Sequence, residues 1–374
     1  MNLLAVLPQG LEEAGSVELK NLGATSVSSS RGSVRCKVDL ACFYRLHLQA
    51  RLPFRFLREI SQFPCINQES LYTGVQNAFD WSKWLKPSTS FRVDVTGKTG
   101  DLNHSHFTAL QVKNALVDLQ RSIWGKRSDI NLHCPALCIH LHLFSGYGIL
   151  SLDTSATSLH RRGYRAAMGI APLKENIAAG LIKLSNWNDS LTLLDPFCGS
   201  ATFLLEAASI SRGIASGLNR EFLFQTWPDF DKSLWINERS IAKTLFLPQK
   251  KLPRIVGYEE NLQIANQAKD NILSAGLNKD IEIISADFTK IRFPQLPGVI
   301  VCNPPYGKRI GKFNDLKTLY QEFGQFLKEY ASGWDLWLLN GNAKLSNFLG
   351  MKCSRRFPVS NGGIDCRWLH YKIH

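Results

Sequence analysis

Four short apolar stretches in the second half of the chain each run into a polar residue. Residues 191–194 end at Asp195, 254–258 meet Glu259, 281–285 lead to Asp287, and 299–302 end at Asn303. Short runs of this composition read as strands buried on both faces. Helical spacing follows in 203–208 and in 262–275. Repeated strand-then-helix units leave little choice of topology, because crossovers between parallel strands are right-handed. They predict a doubly wound, mostly parallel, Rossmann-like sheet, and such sheets bind ligands at the carboxyl ends of their strands. All four polar residues fall at such an end. Residues 335–339 read as a further strand, and 357–359 and 365–371 flank Asn361-Gly362-Gly363, a hairpin signal. An antiparallel C-terminal hairpin at the edge of the sheet is expected.

The first half of the chain is organised differently. Residues 3–7 and 34–38 read as strands and 11–22 and 41–48 as helices, with Glu12 and Glu13 where the helix dipole favours them. A small α/β unit over 1–65 follows. In a second unit, 66–155, Phe91, Val93 and Val95 alternate with polar residues, 106–124 has helical spacing, and 136–144 and 147–152 read as strands about a Ser-Gly turn. His140 and His142 share a strand face near Cys134 and Cys138, but nothing elsewhere completes a ligand set, so no metal is expected. Residues 156–180 form a basic hinge and entry helix, and 181–374 the doubly wound domain.

Charge narrows the partners. The 374 residues hold 44 Lys+Arg and 31 Asp+Glu, a formal net charge of +13. That excess favours a polyanion, nucleic acid first. It is densest around Arg161, Arg162 and Arg165, whose guanidinium forks suit phosphate oxygens, although a solvated linker would also account for it. No apolar run approaches the roughly 20 residues that span a bilayer, so no membrane is expected. Nine scattered cysteines without a CxxC pair point to a reducing compartment, the cytoplasm. The apolar patch at 3–7 has no basic leader and soon meets Pro8 and Gly10, so a secretory signal is not expected.

Four motifs carry chemistry. Asp195-Pro-Phe-Cys-Gly-Ser-Ala-Thr202 is a glycine turn between strand and helix, where backbone can approach a ligand. It is neither a P-loop nor GxGxxG. Glu259, in Gly257-Tyr-Glu-Glu-Asn261, stands where a carboxylate accepts from a ribose diol, or simply charges a helix N-terminus. Asp287-Phe288 suits adenine, one residue accepting from the amine and the other stacking; a capping Asp is the plainer alternative. Asn303-Pro-Pro-Tyr306 is the most specific. An exocyclic base amine is a poor nucleophile because its lone pair is delocalised. An Asn oxygen and a backbone carbonyl can accept its two N–H bonds and localise that pair, while an aromatic face stacks on the base.

Taken together these motifs resemble a class I S-adenosylmethionine-dependent methyltransferase acting on an exocyclic amine. More closely, the chain resembles the RlmL-type THUMP-domain RNA guanine-N(2)-methyltransferases, which act on bacterial 23S rRNA. The likeness includes His160-Arg-Arg-Gly-Tyr-Arg165, Ala171-Pro-Leu-Lys-Glu-Asn176, the insertion from Gly217 through Trp227 and Trp235, and Asn361-Gly-Gly-Ile-Asp-Cys-Arg367. It implies a ferredoxin-like domain at 1–65 and a THUMP domain at 66–155 that capture RNA, ahead of the methyltransferase domain. It implies S-adenosylmethionine as cofactor, with Asp195, Cys198 and Gly199 lining its methionine part, Glu259 on the ribose, and Asp287 and Phe288 on the adenine. Asn303, Pro304 and Tyr306 would hold the target base, and Arg161, Arg162 and Arg165 would contact RNA. Glu175 would lie either at the cofactor's carboxyl-amino end or at the target. Two positions depart from the pattern: Ala201 replaces the second glycine of Gly-Ser-Gly-Thr, and Asn261 stands where a second acid is frequent. The fused second methyltransferase of some relatives has no counterpart in the residues up to His374. The implied partner is RNA, 23S rRNA or a large-subunit precursor. A tRNA guanine-N(2)-methyltransferase, a DNA or RNA adenine amino-methyltransferase, and a non-catalytic RNA-binding ribosome assembly factor remain as alternatives.

Overall fold

The computed structural model describes residues 1–155, 157–165, 173–294, 297–306 and 313–374. Ala171 and Pro172 of the hinge motif lie outside them. Two seven-stranded sheets organise the chain.

The first sheet is built from β1 (Asn2–Val6), α1 (Glu12–Asn21), β2 (Thr25–Ser30), β3 (Ser33–Lys37), α2 (Leu40–Gln49), β4 (Arg55–Pro64), α3 (Gln68–Asn77), α4 (Trp81–Trp84), β5 (Phe91–Gly97), α5 (Ser105–Trp124), β6 (Leu137–Phe144) and β7 (Tyr147–Asp153). Its strand order is β2-β3-β1-β4-β7-β6-β5. The first six elements make a ferredoxin-like βαββαβ unit. β4 pairs antiparallel with β1 through Arg55–Arg58 and with β7 along Leu57–Pro64, so one strand joins the two N-terminal units into a continuous sheet. Helix starts follow local capping chemistry. Asp39 accepts the Cys42 N–H at 2.7 Å ahead of α2, and Asn67 and Ser70 form a reciprocal capping box at α3.

The second sheet is built from α6 (Glu175–Leu184), β8 (Leu193–Asp195), α7 (Thr202–Ser211), α8 (Lys232–Thr244), β9 (Ile255–Tyr258), α9 (Leu262–Ser274), β10 (Ile281–Ile284), β11 (Val299–Cys302), α10 (Phe313–Tyr330), β12 (Asp335–Asn340), α11 (Ala343–Ser346), β13 (Cys353–Asn361) and β14 (Ile364–Lys372). The order β10-β9-β8-β11-β12-β14-β13 is parallel through β12, and β14 then runs antiparallel. The expected fold class holds, including the C-terminal hairpin. Alternation splits β11 between two cores: Val299 and Val301 face α6 and α7, Ile300 and Cys302 face α10. β8 lies between β9 and β11, where the winding reverses, and this places the switch-point crevice beside Asp195.

The two halves interlock. The excursion between α7 and β9 sends Phe222, Phe224, Trp227 and Trp235 into the hydrophobic core of the N-terminal sheet. Arg45 pairs bidentately with Glu238 of α8, and the Tyr44 hydroxyl accepts the Asp231 N–H. On the other side α1 meets α6, and Gly180 lets them pack closely: a Cβ there would stand 2.5 Å from Leu11 Cδ1, so the leucine would have to shift. Among the described residues no helix is long and apolar enough to cross a membrane.

Candidate functional site at the carboxyl ends of the second sheet

The strand-end polar residues gather as expected, and backbone hydrogen bonds tie their loops together. The Cys198 N–H donates to Tyr258 O at 3.0 Å, bringing the loop after β8 against the end of β9. The Gly199 N–H donates to Glu259 Oε2 at 3.1 Å and the Asn261 N–H to Oε1 at 3.0 Å. The Ala286 N–H donates to Glu259 O at 3.1 Å, which adds the β10 loop. Each Glu259 oxygen thus has one N–H partner and retains acceptor capacity. Gly199 has φ +51°, and open space lies where a Cβ would project.

The acids differ in electrostatic state. Burial pushes the Asp195 carboxyl well above the usual carboxylate range, against a smaller opposing pull from the Phe197 N–H. Among the described residues no cation pairs with it. Burial also raises Glu259, with the Asn261 and Gly199 N–H groups opposing. Asp287 is held low, chiefly by the Thr289 hydroxyl and also by its N–H. Asp287 is also the N-cap of the turn Phe288–Lys290, so its capping and site roles coexist at one residue. Asn261 caps α9 by accepting from Gln263 and Ile264 N–H, which explains an Asn at this position. The Phe288 ring is 6% exposed and packs on Phe197, Phe323 and Phe326. Its side chain packs in the core with these rings.

At the end of β11, the Asn303 side-chain oxygen is buried and has no hydrogen-bond partner among the described residues. Tyr306 is fixed from behind. Its hydroxyl accepts from Asn361 Nδ2 at 3.2 Å and lies 3.6 Å from Cys366 Sγ, both on the C-terminal hairpin. Its ring rests on Gly341, where a Cβ would come within 2.5 Å. In the sequence Asn361 stood out as a turn residue and, with Cys366, as part of the segment Asn361–Arg367 that carries the family likeness, but neither was assigned a role at the site.

The basic hinge departs from expectation. Arg161 is exposed. Arg162 turns inward, donating to Leu159 O at 2.7 Å and Arg51 O at 2.5 Å, and only 6% of its side chain is exposed. Arg165 donates to Leu173 O and Thr202 Oγ1, both at 2.8 Å, and sits 3.4 Å from Glu175 Oε1. Of the three arginines, Arg161 alone presents its charge outward. Arg162 joins a buried network centred on Glu206 of α7, which accepts from Arg51 at 3.1 Å and Tyr164 at 3.2 Å and lies 3.7 Å from Arg162 Nε, while Arg165 pairs with Glu175 beside it. The sequence carried a signal for it: Glu206 is the one charge in an otherwise apolar or small helix, Thr202–Ser211. Glu175 is buried beside this network, its Oε2 without a hydrogen-bond partner among the described residues, and burial raises its pKa.

His140 and His142 share Thr96 Oγ1, at 3.2 and 3.0 Å. No cluster of metal-ligating side chains occurs among the described residues.

Comparison with known proteins adds the following. Residues 162–370 match the RMKL-like methyltransferase domain, 67–153 the THUMP domain, and 2–57 the RlmL ferredoxin-like domain. The chain is 40% identical over 99% of its length to the Synechocystis protein slr0064, provisionally named an RNA methyltransferase, and covers 96% of that protein. It is 36% identical over its whole length to ribosomal RNA large subunit methyltransferase K/L of Methylococcus capsulatus, but spans 51% of that relative. Among solved structures, SMU.472, provisionally described as a methyltransferase and complexed with SAH, superimposes with a TM-score of 0.90 at 28% identity, covering 100% of this chain and 98% of that one.

Proposed function

We propose, from the premise that this chain belongs to the RMKL-like methyltransferase family, that it methylates the exocyclic 2-amino group of a guanine in large-subunit ribosomal RNA. Its methyl donor is S-adenosylmethionine, as the family and the SAH-bound neighbour support. The crevice fits such a donor: Gly199 leaves room, Glu259 keeps acceptors for a ribose diol, and Asp195 lacks a cation that an amino group would supply. When bound, the donor supplies a methyl group already activated on a sulfonium. The protein's own work is position and electrostatics.

The observation that carries the reading is the buried, unpartnered Asn303 oxygen in an Asn-Pro-Pro-Tyr loop beside that crevice. A buried acceptor without a donor is costly, and a base amine would satisfy it. Asn303 Oδ1 would accept one amine N–H and a loop carbonyl the other. Pro304 keeps that loop free of helical pairing. Tyr306, clamped by the hairpin, would stack on the base. The N-terminal sheet would capture the RNA, consistent with the THUMP match and the net positive charge. Arg161, exposed on the hinge, would contact a phosphate.

The test is transfer from labelled S-adenosylmethionine to separate pools of unmodified 23S rRNA, tRNA and DNA, with nucleoside analysis. Label is expected as methylated guanine in 23S rRNA, and its loss in Asn303→Ala with RNA binding retained. Label in tRNA would overturn the substrate, and methyladenine the target base. No transfer to any pool despite cofactor binding would favour a non-catalytic assembly factor.

A further inference from the structure

The positive charge of the second half of the chain is concentrated around the C-terminal hairpin, where the motif noted above, Asn361–Arg367, covers only one of the cations. Residues 341–372 contain Lys344, Lys352, Arg355, Arg356, Arg367 and Lys372 against a single acid, Asp365. The fold gathers four of these around one cavity of about 540 Å³, between α11 with the turn Asn347–Leu349 and the outer face of the β13–β14 hairpin. Lys344, Lys352, Arg356 and Arg367 line it, and all four are exposed. None makes an ion pair with another described residue, unlike Arg212, Arg254 and Lys250 at the amino-terminal end of the same sheet, which are paired with acids. Asp365 does not line the cavity.

Its place in the sheet is specific. Asn340, on the cavity wall, ends β12 two residues beyond Leu338, the partner of Cys302, and so lies level with the Asn303 loop. Arg367 is the register partner of Asn340. The residues next to them, Gly341 and Cys366, are those that touch Tyr306. The cleft thus lies at the same end of the sheet as the proposed base site, on the α10 face to which Arg367, Leu369 and Tyr371 turn, whereas Cys366 turns to the other face. Clustered unpaired cations on a cleft of this size make an anion site, and phosphate contacts position a nucleic acid without reading its sequence.

We propose that this cleft grips the phosphodiester backbone of the RNA strand next to the nucleotide held at Asn303. Arg356 and Arg367 clamp one stretch of backbone and Lys344 and Lys352 the other wall, so the strand is anchored close to the extruded base as well as on the N-terminal sheet. This rests on the RNA methyltransferase reading for its substrate, but its test is separable.

The measurement is binding of the full chain to a fluorescent single-stranded oligouridine across a potassium chloride series. Neutralising two phosphate contacts in Arg356→Gln/Arg367→Gln should flatten the slope of log affinity against log salt by about 1.4 and weaken binding several-fold. S-adenosylmethionine binding should not change. Arg356→Lys/Arg367→Lys should restore the slope. Lys251→Gln/Lys279→Gln, which removes as much charge from the opposite end of the sheet, should leave it as in the wild type. An unchanged slope in the arginine double variant, or equal flattening in both neutral variants, overturns the proposal. Wild-type methyl transfer with an unchanged slope removes the cleft alone. A flattened slope in a protein that methylates none of the three pools removes the methylation reading and leaves the cleft.

Discussion

Ala201 stands at φ +64°, ψ +26°, fully buried, at the start of α7. A left-handed conformation costs an L-residue about 1–2 kcal/mol, which is why glycine is the residue expected there. Replacing Ala201 by Gly would relieve that strain but lose a buried methyl worth about 0.8 kcal/mol and add backbone freedom worth about 0.5–1 kcal/mol. The terms nearly cancel, so Ala201→Gly should shift stability in urea titration by less than about 1 kcal/mol. Ala201→Val should cost about 2 kcal/mol or more, because a β-branched residue fits neither the backbone nor the packing. At this scale the sequence was legible wherever chemistry is local. Asp195, Glu259, Asp287 and Asn303 were visible because a strand end is set by the residues on either side of it. The inward turn of Arg162 and Arg165 was not, because the acids that draw them, Glu206 and Glu175, become neighbours only through packing of α6 and α7. The burial of Phe288 was not legible for the same reason: the rings packed against it come from α10 and from Phe197.

The C-terminal hairpin shows what a whole element contributes. Its edge position and NGG turn were readable, yet its function lies in what it holds: Asn361 and Cys366 fix the hydroxyl of Tyr306. One hydrogen bond is worth about 0.5–1.5 kcal/mol, and each 1.36 kcal/mol is tenfold in rate. Asn361→Ala should therefore slow methyl transfer by roughly two- to tenfold without weakening cofactor binding, which stopped-assay kinetics and calorimetry would resolve separately. A loss of cofactor affinity of the same size would show that the hairpin supports the crevice rather than the tyrosine. Most strands made of an apolar run were found, whereas the amphipathic helices α3, α8 and α10 were not assigned from the sequence, and neither were strands defined by their neighbours. β2, with the sequence TSVSSS, has no apolar face and pairs only at the sheet edge. β4 mixes charges and apolar residues because it serves two units, antiparallel to β1 in one half and to β7 in the other.

At the scale of the molecule, two linkages between distant segments should be measurable. Trp235 packs edge-on against Tyr44, Phe222 and Phe224, with ring centroids 5.4–5.8 Å apart. Trp235→Ala should cost about 3–5 kcal/mol and destabilise the N-terminal sheet, although the residue belongs to the other half of the chain. His47 is buried in the same core, bonded to Phe43 O at 2.7 Å and Thr154 Oγ1 at 2.6 Å, and burial pushes it down to about 3. Above pH 6.5 the imidazole is neutral in folded and unfolded chains alike and contributes no pH dependence. Below it the unfolded chain takes up a proton that the folded chain refuses. Stability is therefore lost as pH falls from about 6.5 toward 3, at a limiting slope of about 1.4 kcal/mol per pH unit for this group. Urea titrations from pH 7 to 5 should show stability falling with pH in the wild type, and His47→Gln should reduce the slope by up to about 1.4 kcal/mol per pH unit, leaving the share carried by His140 and His160, which burial pushes down to about 4. The aromatic excursion bears on synthesis as well as stability. A chain emerging from the ribosome delivers both N-terminal units long before Phe222, Phe224, Trp227 and Trp235, which complete their core. Until those rings arrive, the N-terminal sheet lacks part of its core packing and leaves that apolar surface uncovered. Holding that surface for a chaperone, or pausing elongation after α8, would decide how much of the product reaches its native state.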